Sequence, residues 1–304
     1  MLALTTGGDA PHVTLAEVAE PEPAPDHTLV RVRAFSLNRG EVGLLPHLRP
    51  GAVPGWDVAG VVERQAADGS GPPAGTRVTG LVDSGAWAEL AAVRTAWLAP
   101  VPDEVSDAQA ATLPVAGLTA LRSLALGGFP LGKRVLVTGA NGGVGRVAVQ
   151  LARAAGARVT ALVRDAGAVD EVLRGLGARE VVESLDGQYD LIVEGVGGAV
   201  LEQAVGHVAP GGVVASVAHA EGDLITFGAR RFHFSAGARI YALEVFDELT
   251  RHSGAADLAC LGALVADGRL DGQIELERSW RDPGPALEAL QLRKIGGKAV
   301  LHVD

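Results

Sequence analysis

The sequence predicts an α/β protein in which a doubly wound parallel α/β domain is set inside a β-rich domain. Three observations carry this. Residues 1–105 read as short strands punctuated by Gly and Pro. From about residue 106 the chain alternates β-like and helical segments. A glycine-rich stretch, VLVTGANGGVG (135–145), joins one such strand to one such helix. A length of 304 residues suits two domains.

In the first part, LVRVRAFSL (29–37) alternates and is β-rich; GWDVAGVVE (55–63), RVTGLV (77–82) and AWAELAAV (86–93) follow. The breaks at PEPAP, LRPGAVPG and GSGPPAG suit an antiparallel, barrel-like domain. Strand patterns continue on both sides of GSGPPAG (69–75), so a hairpin loop is expected there rather than a linker. SDAQAATLPVAGLTALRSLA (106–125) reads as helical up to Gly127-Gly128, split by Pro114.

Next come the buried strand RVLVTG (134–139), the helix GVGRVAVQLARAAG (143–156) and the strand RVTALV (158–163). The helix AVDEVLRGLG (168–177), the strands EVVE (180–183) and DLIVEG (190–195), the helix AVLEQAVGHVA (199–209) and the strand GGVVASV (211–217) complete a doubly wound parallel pattern, a Rossmann domain. FHFSAGARI (232–240) reads as an edge strand open to a second copy, or as an internal one. The closing segment (275–304) reads as strand, short helix, strand, with KAVLHV (298–303) returning to the first domain. The expected division is residues 1–114 plus 256–304 for the β-rich domain and 115–255 for the nucleotide domain.

With 48% apolar but only 4% aromatic residues and 41 glycines, the cores must rest on Ala, Val and Leu. A net charge of −10, with basic residues scattered, argues against a nucleic-acid surface. The single cysteine, Cys260, rules out an internal disulfide and a Cys-rich zinc site, and its Ala/Leu-rich helix suggests packed core. MLALTTGGDAPHVTL lacks a basic start followed by an apolar core, and no apolar run reaches about 18 residues. The expectation is a soluble cytoplasmic protein without membrane or nucleic-acid partners.

The glycine-rich turn can be read as T-G-x-x-x-G-x-G from Thr138 or as A-x-G-x-x-G from Ala140. Either way, a turn between a buried strand and a helix brings backbone N–H groups and a helix N-terminus to a diphosphate. Gly139, Ala140, Asn141, Gly142, Gly143 and Val144 are the candidate cofactor contacts. Gly142 would let the backbone approach the phosphates, Gly145 would let the helix close on the strand, and Gly139 or Gly143 would supply an unusual φ. The first reading resembles short-chain dehydrogenases, whose motif lies near the N-terminus and whose catalysis needs Tyr-x-x-x-Lys. Here more than a hundred residues precede the turn, and neither Tyr189 nor Tyr241 has a lysine four residues on. That reading fails.

At the tip of the second nucleotide-domain strand stand Val163, Arg164 and Asp165. Arg164 could pair with a 2′-phosphate, a charge-assisted bond of about 1.5–3 kcal/mol, or remain a plain solvated residue. Asp165 could serve a ribose or cap the next helix. NADPH is favoured over NADH.

Taken in order, RVRAFSLNRGEV, VPGWDVAGVV, GAWAELAAV, ATLPVAGLTALRSL, GANGGVGRVAVQLARAAGARV, VGGAVLEQAVGHVAPGGVV and IGGKAVL resemble the motifs of the medium-chain dehydrogenase/reductase superfamily, in its zinc-independent quinone oxidoreductase branch. The resemblance runs nearly end to end and implies a GroES-like catalytic domain around the Rossmann domain. Zinc-dependent members bind the catalytic metal through Cys, a His-Glu pair and a second Cys; at the corresponding places this chain has Asn38 and Gly55-Trp56-Asp57. No metal is expected. Without a Lewis acid, alcohol oxidation loses its usual alkoxide stabilisation, whereas an activated C=C bond spreads the charge onto its own carbonyl.

The implied activity is therefore hydride transfer from NADPH to a quinone or α,β-unsaturated carbonyl, a small-molecule substrate, with catalysis by juxtaposition in a dry cleft. Alternatives are an enoyl-thioester reductase, a zinc-free alcohol dehydrogenase-like biosynthetic enzyme, or a catalytically silent NADPH-binding protein. Asn38 would bond the substrate carbonyl or the nicotinamide ribose, or serve as a turn residue. Trp56 would wall the pocket or belong to the core. Tyr241, read as lying outside the sheet strands, would donate a proton or be structural. Thr119 matches a cofactor-contacting threonine, and Val196, Val217 and His219 follow strands on the nicotinamide side, His219 equally suiting an exposed loop. Lys298 would face the cofactor or a carbonyl at a strand start. The resemblance also implies a homodimer.

Overall fold

The structure, a computed structural model, describes residues 1–8, 11–218 and 224–304, and for Arg231 the backbone only. The chain divides into two compact units, Met1–Leu118 with Leu249–Asp304, and Thr119–Glu248. The sequence reading set the divisions at 114/115 and 255/256. Pro114 does not end the first unit, because Leu113–Gly117 winds as a π turn there and the Val115 N–H donates to Asp57 (2.9 Å).

The first unit opens with β1 (Leu2–Thr6) and β2 (Val13–Glu17), an antiparallel pair. Then follow β3 (His27–Leu37), α1 (Arg39–Leu44), β4 (Asp57–Arg64), β5 (Arg77–Leu81), β6 (Leu90–Arg94), β7 (Leu98–Pro100) and α2 (Asp107–Ala111). The segment 69–75 lies in the hairpin joining β4 to β5, which pair from Asp57↔Leu81 to Val61↔Arg77. Alternation along β3 buries Val30, Val32 and Ala34 and exposes Arg31 and Arg33, as a half-solvated strand requires. The strand expected over 86–93 begins only at Leu90; Ala86, Trp87 and Ala88 are buried ahead of it. The Trp87 ring stacks on Phe35, 5.7 Å between centroids and 18° between planes, in a core shared with Val30, Leu37 and Leu98. Each such fully buried large side chain contributes about 1.5–3 kcal/mol.

The second unit begins within α3 (Leu118–Ala125) and continues through β8 (Arg134–Thr138), α4 (Gly143–Ala154), β9 (Arg158–Leu162), α5 (Asp170–Leu176), β10 (Glu180–Val182), β11 (Tyr189–Glu194), α6 (Gly198–Gly206), β12 (Val208–Ser216), α7 (Ala229–His233) and β13 (Arg239–Ala242) to α8 (Val245–Arg251). Its six strands run parallel in the order β10-β9-β8-β11-β12-β13. The order reverses between β8 and β11, the place where open parallel sheets form a ligand crevice. Val135, Leu136, Val137 and Thr138 are all buried, as expected for a strand covered on both faces. Two expectations are corrected here. The stretch 232–240 is not one strand: residues 229–233 are helical and only Arg239–Ala242 pair with β12. Tyr241 consequently lies inside a sheet strand, opposite Ala215.

The chain returns to the first unit with α9 (Gly254–Ala266), β14 (Ile274–Ser279), α10 (Gly284–Gln291) and β15 (Lys298–His302). Cys260 sits on α9 but is exposed, not core, because that helix buries Leu258 and Leu261 instead. β15 pairs antiparallel with β3, from Ala299↔Leu37 to His302↔Ala34, and parallel with β14, completing a seven-stranded sheet.

Candidate functional site

In the second unit the sequence bends sharply after Thr138. Gly139 takes φ +57°, the left-handed value that glycine adopts without strain, and its carbonyl accepts from Gly142 N (2.9 Å) to close the turn. Gly142 precedes α4 with extended backbone and no side-chain cap, so the first N–H groups of the helix are left for an anion. A Cβ on Gly145 would lie 2.5 Å from the Gly139 carbonyl oxygen and 2.7 Å from Ala140 Cα, contacts with backbone that cannot yield. Only glycine lets α4 close onto the turn. Ala140 is fully buried, while Asn141, Gly142, Gly143 and Val144 are half-buried.

Asn141 Oδ1 accepts from Arg146 Nε (3.1 Å) and Nη2 (2.6 Å), and Arg146 is itself buried. Sequence reasoning passed over this arginine. Its signal was a cation in the opening turns of a helix, where the macrodipole disfavours positive charge.

The ends of the neighbouring strands meet the same turn. A Cβ on Gly139 would stand 3.1 Å from Val196 Cγ2, and one on Gly195 would stand 3.8 Å from Val217 Cγ2. Gly139, Val196 and Val217 therefore cluster at the reversal point. Glu194, which ends β11 and is fully buried, accepts from Thr138 Oγ1 (3.0 Å), Val196 N (2.9 Å) and Gly197 N (3.0 Å). Burial pushes its carboxyl above the usual range, against those donors.

Arg164 stands two residues beyond β9, exposed, with no hydrogen bond or ion pair among the described residues. Asp165 accepts from Ala168 N (3.1 Å), a turn ahead of α5 rather than its cap. Thr119 is buried on α3, its carbonyl taken by Ser123 Oγ (2.7 Å). Tyr241 donates its hydroxyl to the buried Glu248 of α8. His219 lies outside the described residues.

The first unit holds a second constellation, made of groups far apart in sequence. Asn38 follows β3 and caps the start of α1; its backbone N–H donates to Glu41 Oε1 (2.7 Å), the reciprocal half of a capping box. Its side-chain amide donates to Glu41 Oε1 (3.1 Å) and Asp57 Oδ2 (2.7 Å) and accepts from Lys298 Nζ (2.6 Å). Lys298 also donates to the Leu37 carbonyl (3.2 Å) and reaches Asp57 Oδ2 (3.4 Å). Ser36 donates to Asp57 as well, and Trp56 N donates to Glu41 Oε2 (2.8 Å).

Asn38, Glu41, Asp57 and Lys298 are all buried. Burial, then the Asp57 charge, pushes the Glu41 carboxyl up to about 8, against the Asn38 donors and Lys298. Both amide hydrogens of Asn38 are thus engaged within the cluster, so in this arrangement it offers no donor to a substrate carbonyl or a ribose. The Trp56 ring is half-buried and rests against α1, where a Cβ on Gly40 would come within 3.0 Å of it. Glu41 had not been singled out, although the N-x-x-E spacing of 38–41 was a local signal for it; Asp57 had been noted only as standing where zinc-dependent members have a metal ligand.

A zinc ion does not fit this donor set. Zinc sites are built from thiolate, imidazole and carboxylate in tetrahedral array. Here the ammonium of Lys298 stands between Asn38 Oδ1 and Asp57 Oδ2, and the surrounding groups supply neither sulfur nor imidazole.

Residues 24–103 match the family model of the alcohol dehydrogenase GroES-like domain, and residues 143–247 that of the zinc-binding dehydrogenases. Over 257 residues the chain is 32% identical to the chloroplastic quinone-oxidoreductase homolog of Spinacia oleracea, spanning 75% of this chain and 77% of that protein. It is 34% identical over 223 residues to the 2-methylene-furan-3-one reductase of Solanum lycopersicum, spanning 66% of this chain and 56% of that one. The solved quinone oxidoreductase from Coxiella burnetii superposes with a TM-score of 0.84 at 25% identity, covering 100% of this chain and 99% of that one. By its two matched domains, its relatives and its fold, the chain belongs to the medium-chain dehydrogenase/reductase superfamily, in the quinone oxidoreductase-like branch.

Proposed function

We propose that the protein is a zinc-independent reductase that uses NADPH to reduce a quinone or an α,β-unsaturated carbonyl. The observation that carries the reading is the open glycine turn at the reversal point of the parallel sheet, in a chain that has Asn38 and Trp56-Asp57 at the places of the catalytic-zinc ligands, with the Lys298 ammonium against Asn38 and Asp57. Residues 139–144 and the first turn of α4 would hold the diphosphate, and Val196 and Val217 would flank the nicotinamide. When bound, the reduced nicotinamide supplies a hydride; the acceptor also takes up a proton. An acceptor whose own carbonyl delocalises the developing charge needs no Lewis acid, which agrees with a donor set unsuited to zinc. The Arg164 guanidinium beyond β9, without a partner among the described residues, supports NADPH over NADH. The names of the spinach and tomato relatives support the acceptor class.

A homodimer belongs to the same reading, since β13 closes its sheet with an edge carrying the exposed Arg239 and Ile240. No helix among the described residues is long and apolar enough to cross a membrane.

The test is direct. Purified protein is given NADPH or NADH with a panel of quinones, enones and enoyl thioesters while loss of the reduced cofactor is followed by absorbance. Oxidation of NADPH by quinones or enones supports the proposal. Turnover confined to thioesters moves the assignment to an enoyl-thioester reductase, and binding without turnover makes the chain a silent cofactor-binding protein.

A further inference from the structure

At the reversal point of the sheet, one carboxyl does more than end a strand. β8 and β11 are paired in register from Leu191↔Val135 to Val193↔Val137, which sets Glu194 beside Thr138, the residue immediately before the glycine turn. Three donors converge on Glu194 Oε1: the Thr138 hydroxyl, and the N–H groups of Val196 and Gly197. Thr138 Oγ1 in turn accepts from Gly195 N (3.0 Å), so the exit of β8 and the β11–α6 turn are tied by a closed ring of bonds. The other oxygen, Oε2, is buried without a partner among the described residues.

An ionised carboxylate leaving one oxygen bare inside a protein is costly, whereas a neutral carboxyl is far less so. Burial raises this carboxyl as well and outweighs the Gly197, Val196 and Thr138 donors, which favour the ionised form. The partners it has on β8 and on the β11–α6 turn are neutral, and its register neighbour on β12 is Ser216.

We propose that Glu194, in its neutral form, is a positioning residue for the cofactor: it locks the start of the glycine turn to the β11–α6 turn that carries Val196. The inference rests on the reductase reading for its ligand, but its geometry stands without it. The carboxyl does not touch the cofactor; it fixes the spacing between the diphosphate turn and the nicotinamide-side residues. Glutamine has the shape of the neutral acid, with an amide oxygen for the three donors and an NH2 in place of the second oxygen.

The experiment measures NADPH and NADH dissociation constants by fluorescence titration from pH 6 to pH 9 for wild type, Glu194→Gln, Glu194→Asp and Glu194→Ala. Hydrogen exchange at the Val196 and Gly197 amides of the cofactor-free proteins is followed alongside. Glu194→Gln is expected to bind within about twofold of wild type at pH 7 and to lack any alkaline loss of affinity that wild type shows. Glu194→Asp and Glu194→Ala are expected to bind at least about tenfold more weakly, with faster exchange at both amides. Wild-type affinity and exchange in Glu194→Ala would overturn the lock. A Glu194→Gln protein as impaired as Glu194→Ala would overturn the neutral form. Should Glu194→Ala fail to fold, the Gln and Asp pair decides the matter. Should wild type bind neither nucleotide, the reductase reading fails while exchange still judges the lock.

Discussion

Replacing Lys298 with Met keeps most of the side-chain volume and removes the one cation of a buried cluster. The three N–H groups of the ammonium face three acceptors, the Leu37 carbonyl at 3.2 Å, Asn38 Oδ1 at 2.6 Å and Asp57 Oδ2 at 3.4 Å. Methionine leaves all three without that donor and strands the Asp57 charge beside the Glu41 carboxyl. Stripping one partner from a buried ion pair costs about 3–5 kcal/mol. Asp57 retains the Ser36, Asn38 and Val115 donors, which places the expected loss near the low end, about 3 kcal/mol. For a unit of this size that corresponds to a fall in melting temperature of roughly 6–12 °C. Calorimetry and urea unfolding measure it. The double variant with Asp57→Asn should cost at least about 1 kcal/mol less than the two single losses added, because the second change removes a charge already stranded by the first. A Lys298→Met protein within about 1 kcal/mol of wild type, or strictly additive losses, would refute the account of the cluster.

Three further outcomes follow from the same geometry. Gly145→Ala drives a Cβ into the Gly139 carbonyl and Ala140 Cα, so nucleotide affinity measured by titration should drop at least about tenfold; unchanged affinity would separate the turn from the cofactor. Arg164→Ala should weaken NADPH binding by about tenfold to a hundredfold and leave NADH nearly unaffected, with equal loss for both counting against the 2′-phosphate assignment. Glu41 has a folded pKa raised from 4.5 to about 8, so the folded chain holds a proton there that the unfolded chain releases. Its stabilising contribution is full below the ordinary carboxyl range and is lost as pH rises towards 8, by up to about 1.4 kcal/mol per pH unit. Urea midpoints across that window should show the slope, and Glu41→Gln should flatten it.

Much of the fold was legible because it rests on local signals. The strand-turn-helix at 134–154, the βα alternation after it and the hairpin around 69–75 all follow from periodicity and glycine placement. So does the β-like run KAVLHV, expected to return to the first domain and found paired with β3. Tyr241 was misread because a four-residue edge strand carries too little alternation to distinguish it from the helical turn at 229–233. Cys260 was misread because α9 is apolar nearly all round, so its sequence does not declare which face is covered. The polar cluster was out of reach for a different reason. Asn38 and Lys298 are 260 residues apart, and no spacing rule links them. Glu194 left only a faint trace, a carboxylate closing the run LIVE.

The placement of β15 between β3 and β14 has a consequence for how the chain comes together during synthesis. The Asp57–Lys298 pair spans 241 residues, and the first sheet lacks its two end strands, β14 and β15, until the ribosome has made the whole nucleotide unit and more. Thr119–Glu248 is continuous and can close on itself meanwhile. Until Lys298 arrives, Asp57 lacks its counter-charge, and the half-built sheet presents the Ala34–Leu37 flank of β3 to whatever chaperone or neighbouring chain is near.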